Sequence, residues 1–168
     1  MALLDSLLPG FVGAHPPAAA AQFHVIGRFT RMKTSTQTTG NIGLYYTCYQ
    51  LSLLGWNVMP TARNAKGIDI VAYSQTGKRR ILIQVKTLSK TNPVPLGSTL
   101  STLIADFIVV CVRVPDKEPE CFILTPKEIG SGVRTGHKGG KTSHWLKIKS
   151  YCKNQFRNKW DRIGFGLR

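Results

Sequence analysis

The chemistry this sequence offers is concentrated in three polar side chains, Asp69, Gln84 and Lys86. Asp69 is the one acidic residue between positions 6 and 105, and it enters a β-like run after the loop Ala62–Gly67. Fifteen residues on comes Gln84-Val85-Lys86, where the two-residue period of a strand puts Gln84 and Lys86 on one face. A hairpin between the two runs would bring an acid, an amide oxygen and an ammonium to one place. That trio suits phosphodiester hydrolysis. Asp69 would hold Mg²⁺ or Mn²⁺, with Gln84 or the backbone carbonyl of Val85 as a further oxygen ligand. Lys86 would orient water or balance charge on the phosphoryl oxygens. Plainer roles compete with each of these. Asp69 would serve as a turn or cap residue, Gln84 as a core amide bonded to backbone, and Lys86 as a solvated strand residue.

The surrounding pattern supplies the hairpin. Ile68–Tyr73 and Ile81–Thr87 read as strands joined by the turn Ser74-Gln75-Thr76-Gly77-Lys78. Trp56–Met59 is a further strand, stopped by Pro60. Phe107–Val114 is a continuous apolar run, as expected for a strand covered on both faces, and Cys121–Leu124 follows it. Ahead of the strands, GNIGLYYTCYQLSLLGW predicts a helix, capped by Thr38 or Thr39 and closed by Gly55. Ile42, Tyr45, Tyr46, Tyr49 and Leu53 form one apolar row and Leu44, Cys48 and Leu51 a second, so the helix is expected to be buried on most sides. The tyrosines are read as packing residues. Residues 88–98 read as a loop, Thr125-Pro126-Lys127-Glu128 as a capping-box helix start, and Gly130–Gly140 as a flexible loop. Trp145–Ile148 reads as a short strand and Ser150–Trp160 as a last helix. The order of elements gives an α/β (α+β) layer with a mixed sheet.

At Gly67-Ile68-Asp69-Ile70 and Ile83-Gln84-Val85-Lys86, following a helix with a glycine-rich start, the chain resembles the PD-(D/E)xK nuclease superfamily. Within it the similarity is to Holliday-junction-resolvase-like proteins and methylation-dependent restriction nucleases, over about residues 40–130. The resemblance implies a restriction-endonuclease-like mixed central sheet flanked by helices. It also implies a Mg²⁺- or Mn²⁺-dependent DNA endonuclease and a possible homodimer. Asp69, Gln84 and Lys86 would be its catalytic residues, and Asp69, Gln84 and the Val85 carbonyl its metal ligands. Two positions depart from the pattern. Related nucleases often carry a glutamate on the first helix just after the glycine, where this chain has Leu44, and Gln84 replaces the second-motif acid. These departures motivate the alternative of a catalytically degenerate nucleic-acid-binding module on the same fold.

Charge points to the partner. The 168 residues hold 23 Lys+Arg against 8 Asp+Glu, a net charge of +15, which calls for a polyanion. From Lys127 to the C-terminus the net is +9 over 42 residues, with aromatic residues interleaved. Arg134, Lys138, Lys141, Lys147, Lys149, Lys153, Arg157 and Lys159 are therefore read as a DNA phosphate-backbone surface, which Lys66, Lys78, Arg79 and Arg80 would extend toward the site. His137 and His144 are expected in loops, and Trp145 and Trp160 in the core or at its rim. No base-reading motif is present. A basic RNA- or ribosome-associated protein is a third reading.

Residues 1–35 are expected to be a disordered leader, with Met32 a candidate start of translation. Residues 36–168 are expected to form a single domain with a basic C-terminal region 127–168. The leader lacks the positive start of a signal peptide, and no apolar stretch is long enough to span a membrane. Cys48, Cys111, Cys121 and Cys152 form no CxxC pair, which argues against a zinc site or a disulfide scaffold and for a reducing cytoplasm.

Overall fold

The computed structural model describes residues 34–62, 67–114 and 118–167. The expected leader lies outside the described residues, except that Ser35 caps the first helix: its side chain accepts the Thr38 N–H, a turn earlier than the threonines proposed for this role. Helix α1 spans Thr36–Leu53. It ends at Leu54, and Gly55 follows in the left-handed region at φ +82°. The face it buries is made of small residues, Thr39, Gly43 and Thr47, with Cys48 and Leu51. Tyr45, Tyr49 and Leu53, four apart, stay in solvent, so the expectation of a helix buried on most sides is corrected. The cause is a close helix–sheet approach that only small side chains permit. A Cβ at Gly43 would collide with the side chain of Thr87. Tyr46 does pack, edge-on against Trp160, and its hydroxyl donates to Glu118.

Strands β1 (Asn57–Pro60), β2 (Ile70–Tyr73) and β3 (Arg80–Thr87) form an antiparallel meander. After β4 (Val94–Gly97), strand β5 (Phe107–Val112) pairs parallel to β3, and β6 (Glu120–Leu124) pairs antiparallel to β5. The central sheet is thus mixed, in the order β1-β2-β3-β5-β6. Alternation along β5 divides the core. Val109 and Cys111 face one cluster, with Leu51, Ile70 and Ile83 under α1. Ile108, Val110 and Val112 face the other, with Phe122, Leu146 and Tyr151. Burial of every residue from Ile108 to Val112 explains the unbroken apolar run. Cys111 and Cys121 oppose each other across β5 and β6, their buried thiols 2.9 Å apart.

The C-terminal third departs from its sequence reading. Helix α2 (Pro126–Gly130) starts at the expected capping box on Thr125 and Glu128. The expected flexible loop Gly130–Gly140 is instead strand β7 (Val133–Lys138), which hairpins into β8 (Lys141–Leu146). The turn is Gly139-Gly140, both at positive φ, as a two-residue hairpin requires. β4, expected to be loop, pairs with β8 to complete a second sheet, β4-β8-β7. The short strand expected at Trp145–Ile148 is the end of β8, which stops at Leu146, and His137 and His144 lie on strands rather than in loops. The last helix expected over Ser150–Trp160 is also corrected. Only α3 (Ile148–Tyr151) and a 3-10 turn at Trp160–Ile163 are helical. Between them the chain lies along the edge of β6. Ile123 N–H donates to the Phe156 carbonyl, and the Asn158 side chain accepts the Cys121 N–H. Covering that edge satisfies backbone groups a helix would have left bare.

Candidate functional site

Gly67 turns the chain into β2 at φ +73°, where a Cβ would strike the backbone carbonyl of Thr102. The N–H and hydroxyl of Thr61 then bond the carbonyls of Asp69 and Ile68. So tethered, Asp69 sits just ahead of β2, and its N–H donates at 2.9 Å to the carbonyl of Ile83, the residue paired with Ile70. Its side chain then takes over the ladder. Asp69 Oδ2 accepts the Val85 N–H at 2.7 Å. That bond sets the Asp69 carboxylate against the Gln84-Val85-Lys86 segment of β3.

Gln84 is only 7% exposed, and its Oε1 is buried with no hydrogen-bond partner among the described residues. A buried, unpaired amide oxygen costs on the order of 1–3 kcal/mol, so it argues for something that binds there. Two residues on, along the same face, lies half-buried Lys86. Among the described residues no carboxylate forms an ion pair with it. Asp69 thus lies against the stretch of β3 that carries Gln84 and Lys86. The donors on offer, a carboxylate, an amide oxygen and a backbone carbonyl, fit a hard divalent cation that keeps much of its water. Among the described residues no group of three or more His, Cys, Asp or Glu side chains could hold a metal. Helix α1 supplies no acid, and Leu44 packs against the core. Asp106, which the sequence reading passed over, is used structurally: its Oδ2 accepts the Leu82 N–H at 2.8 Å and ties β3 to the start of β5.

The basic residues are dispersed. Lys78, Arg79 and Arg80 sit at the β2–β3 turn, the far end of the hairpin from the site. Arg80 is four residues, about 13 Å of strand, from Gln84. Arg79 stacks over Trp56 at 5.2 Å and donates to the Phe165 carbonyl. Lys66 lies outside the described residues. Arg134, Lys138, Lys141, Lys147, Lys149, Lys153 and Lys159 are exposed on the second sheet and the chain that follows. Arg157 is partly neutralised by Glu120 at 3.2 Å. A groove of about 920 Å³ opens on the second sheet, lined by Leu88, Pro95, Trp145, Arg134, Lys147 and Lys149 among others. No sequence pattern flagged it, because its walls come from four separated segments.

No protein-family model matches the chain, and no curated protein matches it. Among solved structures, it is similar to a bacterial homing endonuclease, with a TM-score of 0.51 and 19% identity, covering 78% of this chain and 92% of that one. A Holliday junction resolvase from Archaeoglobus fulgidus aligns with a TM-score of 0.40 and 18% identity, covering 63% of this chain and 88% of the resolvase. The chain has the restriction-endonuclease-like fold: a mixed five-stranded sheet with helices on it and a second, three-stranded sheet.

Proposed function

We propose that this protein is a metal-dependent DNA endonuclease. One observation carries the reading: across a hairpin a carboxylate bonds the backbone N–H of Val85, whose two neighbours on the strand are a buried amide oxygen without a partner among the described residues and a lysine. Asp69, Gln84 Oε1 and the Val85 carbonyl would hold Mg²⁺ or Mn²⁺. When bound, such an ion polarises a phosphate and makes water more acidic. Lys86 would hold a phosphoryl oxygen or the attacking water by charge-assisted hydrogen bonds, which strengthen as negative charge builds up. The Val85 N–H keeps the Asp69 carboxylate in place. The nuclease fold and the excess of positive charge support DNA as the substrate. A homodimer would supply two such sites for cutting both strands.

The test is cleavage of linear, branched and single-stranded DNA with Mg²⁺ or Mn²⁺ by the wild type, Asp69→Asn and Lys86→Ala. Cleavage by the wild type, falling at least about a hundredfold in both variants while DNA binding persists, is the expected result. Equal cleavage by all three would remove these residues from the reaction. A second reading, a binding module without catalysis, draws support from the single carboxylate and from Leu44. Binding without cleavage or metal stimulation would establish it.

A further inference from the structure

The groove on the second sheet has a composition that suits an unpaired strand better than a duplex. Pro95, Trp145 and Arg134 lie in a row across β4, β8 and β7, on the face turned away from Leu146 and Val133, which pack inward. Leu88 and Ile148 add apolar wall; Lys147 and Lys149 add charge, and none of the described residues lining the groove is acidic. Trp145 is 42% exposed, whereas Trp56 and Trp160 are 2% and 8% exposed. Its indole N–H is already bonded to Ser143 Oγ at 3.2 Å, so the ring is held by its edge. An aromatic ring beside proline and leucine suits the flat face of a base, and three cations suit its phosphates. In a duplex the base faces are stacked inside and would never reach such a wall.

We infer that this groove takes an unpaired nucleotide of a DNA strand, with its base against Trp145 and its phosphates among Arg134, Lys147 and Lys149. The inference deepens the nuclease reading by naming the substrate as DNA with an unpaired segment near the cut, and it rests on that reading for its link to the reaction. Position supports the link. Leu88 is two residues, roughly 7 Å of chain, beyond Lys86 and leads from the candidate site into the groove. A strand bound at the site would reach the edge of the groove at Leu88 within about a nucleotide.

The experiment measures binding, in chelator and without divalent ions, so that it does not depend on cleavage. Duplex DNA, the same duplex with an unpaired tail, and single-stranded DNA are titrated while tryptophan fluorescence and anisotropy are followed. Tailed and single-stranded DNA are expected to quench the emission and to bind more tightly than the plain duplex. Trp145→Ala is expected to abolish the quenching and to weaken binding of unpaired DNA roughly tenfold, leaving the duplex within about twofold, while Trp145→Phe keeps the preference. Quenching in the wild type needs no variant, so misfolding of Trp145→Ala would not hide the result. Equal binding of duplex and tailed DNA by the wild type would overturn the inference, as would displacement of the DNA by an acidic peptide as readily as by unlabelled single strand. Tighter binding and stronger quenching by RNA of the same sequence would also overturn it. Cleavage without this preference would sink the groove and spare the nuclease; the preference without cleavage would do the reverse.

Discussion

Asp69 has two tasks that a substitution can separate. One is structural, because its Oδ2 takes the Val85 N–H where the ladder has run out of backbone acceptors. The other is the proposed ligation of a cation, which needs the negative charge. Asparagine keeps an acceptor oxygen and loses the charge; alanine loses both. Asp69→Asn is therefore expected to unfold within about 0.5 kcal/mol of the wild type in urea, and Asp69→Ala to lose about 1–3 kcal/mol. Only the wild type should gain thermal stability from millimolar Mg²⁺ or Mn²⁺. A metal-induced rise in Tm of the same size in Asp69→Asn would place the cation elsewhere. Gln84 makes the complementary case. A buried oxygen without a partner among the described residues costs free energy, and a cation bound there would offset it.

At the scale of elements, the site depends on how closely α1 lies against β3. Gly43 meets Thr87, the neighbour of Lys86, and Thr47 Oγ1 folds back onto the Gly43 carbonyl. Gly43→Ala should cost about 1–3 kcal/mol despite the better helix propensity of alanine. Adding Thr87→Ala should recover part of that loss in a double-mutant cycle, and strict additivity would show that the two do not touch. Helix α2 is held differently. Burial pushes the Glu128 carboxyl up, but the Thr125 backbone N–H and the Arg162 guanidinium outweigh it, and the group sits below its usual range. A carboxylate lowered on folding stabilises above its unfolded pKa, so the contribution is lost as pH falls below about 4.5. The difference in Tm between the wild type and Glu128→Gln should be largest at neutral pH and vanish in acid; a difference constant with pH would mean the charge is irrelevant. The elements also differ in how far they were legible beforehand. The β2–β3 hairpin and the doubly buried β5 showed in the sequence because their apolar periods are set by their own neighbours. β4 and β7 did not, since the prolines of one and the glycine and histidine of the other read as loop. Only pairing with β8 makes them strands. For α1 the row Leu44, Cys48 and Leu51 does face the core, and the other row divides: Ile42 and Tyr46 pack while Tyr45, Tyr49 and Leu53 stay in solvent, a distinction that hydropathy does not make. The contact of Asp69 with Val85 and the state of Gln84 Oε1 depend on how the two strands meet in space, so spacing alone discloses neither.

Over the whole molecule, an excess of fifteen positive charges will draw DNA from any direction, and the question is whether the charge is organised. The structure separates two sets of cations that look alike in the sequence. Lys147 and Lys149 line the groove that Leu88 joins to the candidate site, whereas Lys78 lies at the opposite end of the β2–β3 hairpin. If phosphates are held where the site is, the first set should carry the salt dependence of binding and the second should not. Each phosphate neutralised on single-stranded DNA contributes about 0.7 to the slope of log affinity against log salt. Joint replacement of Lys147 and Lys149 by glutamine should lower the slope for single-stranded DNA by about 1.4, and Lys78→Gln should leave it within about 0.3 of the wild type. Equal reductions per charge removed, wherever the lysine lies, would mean that DNA is held by diffuse attraction alone. No surface would then carry the strand past Asp69 and Lys86.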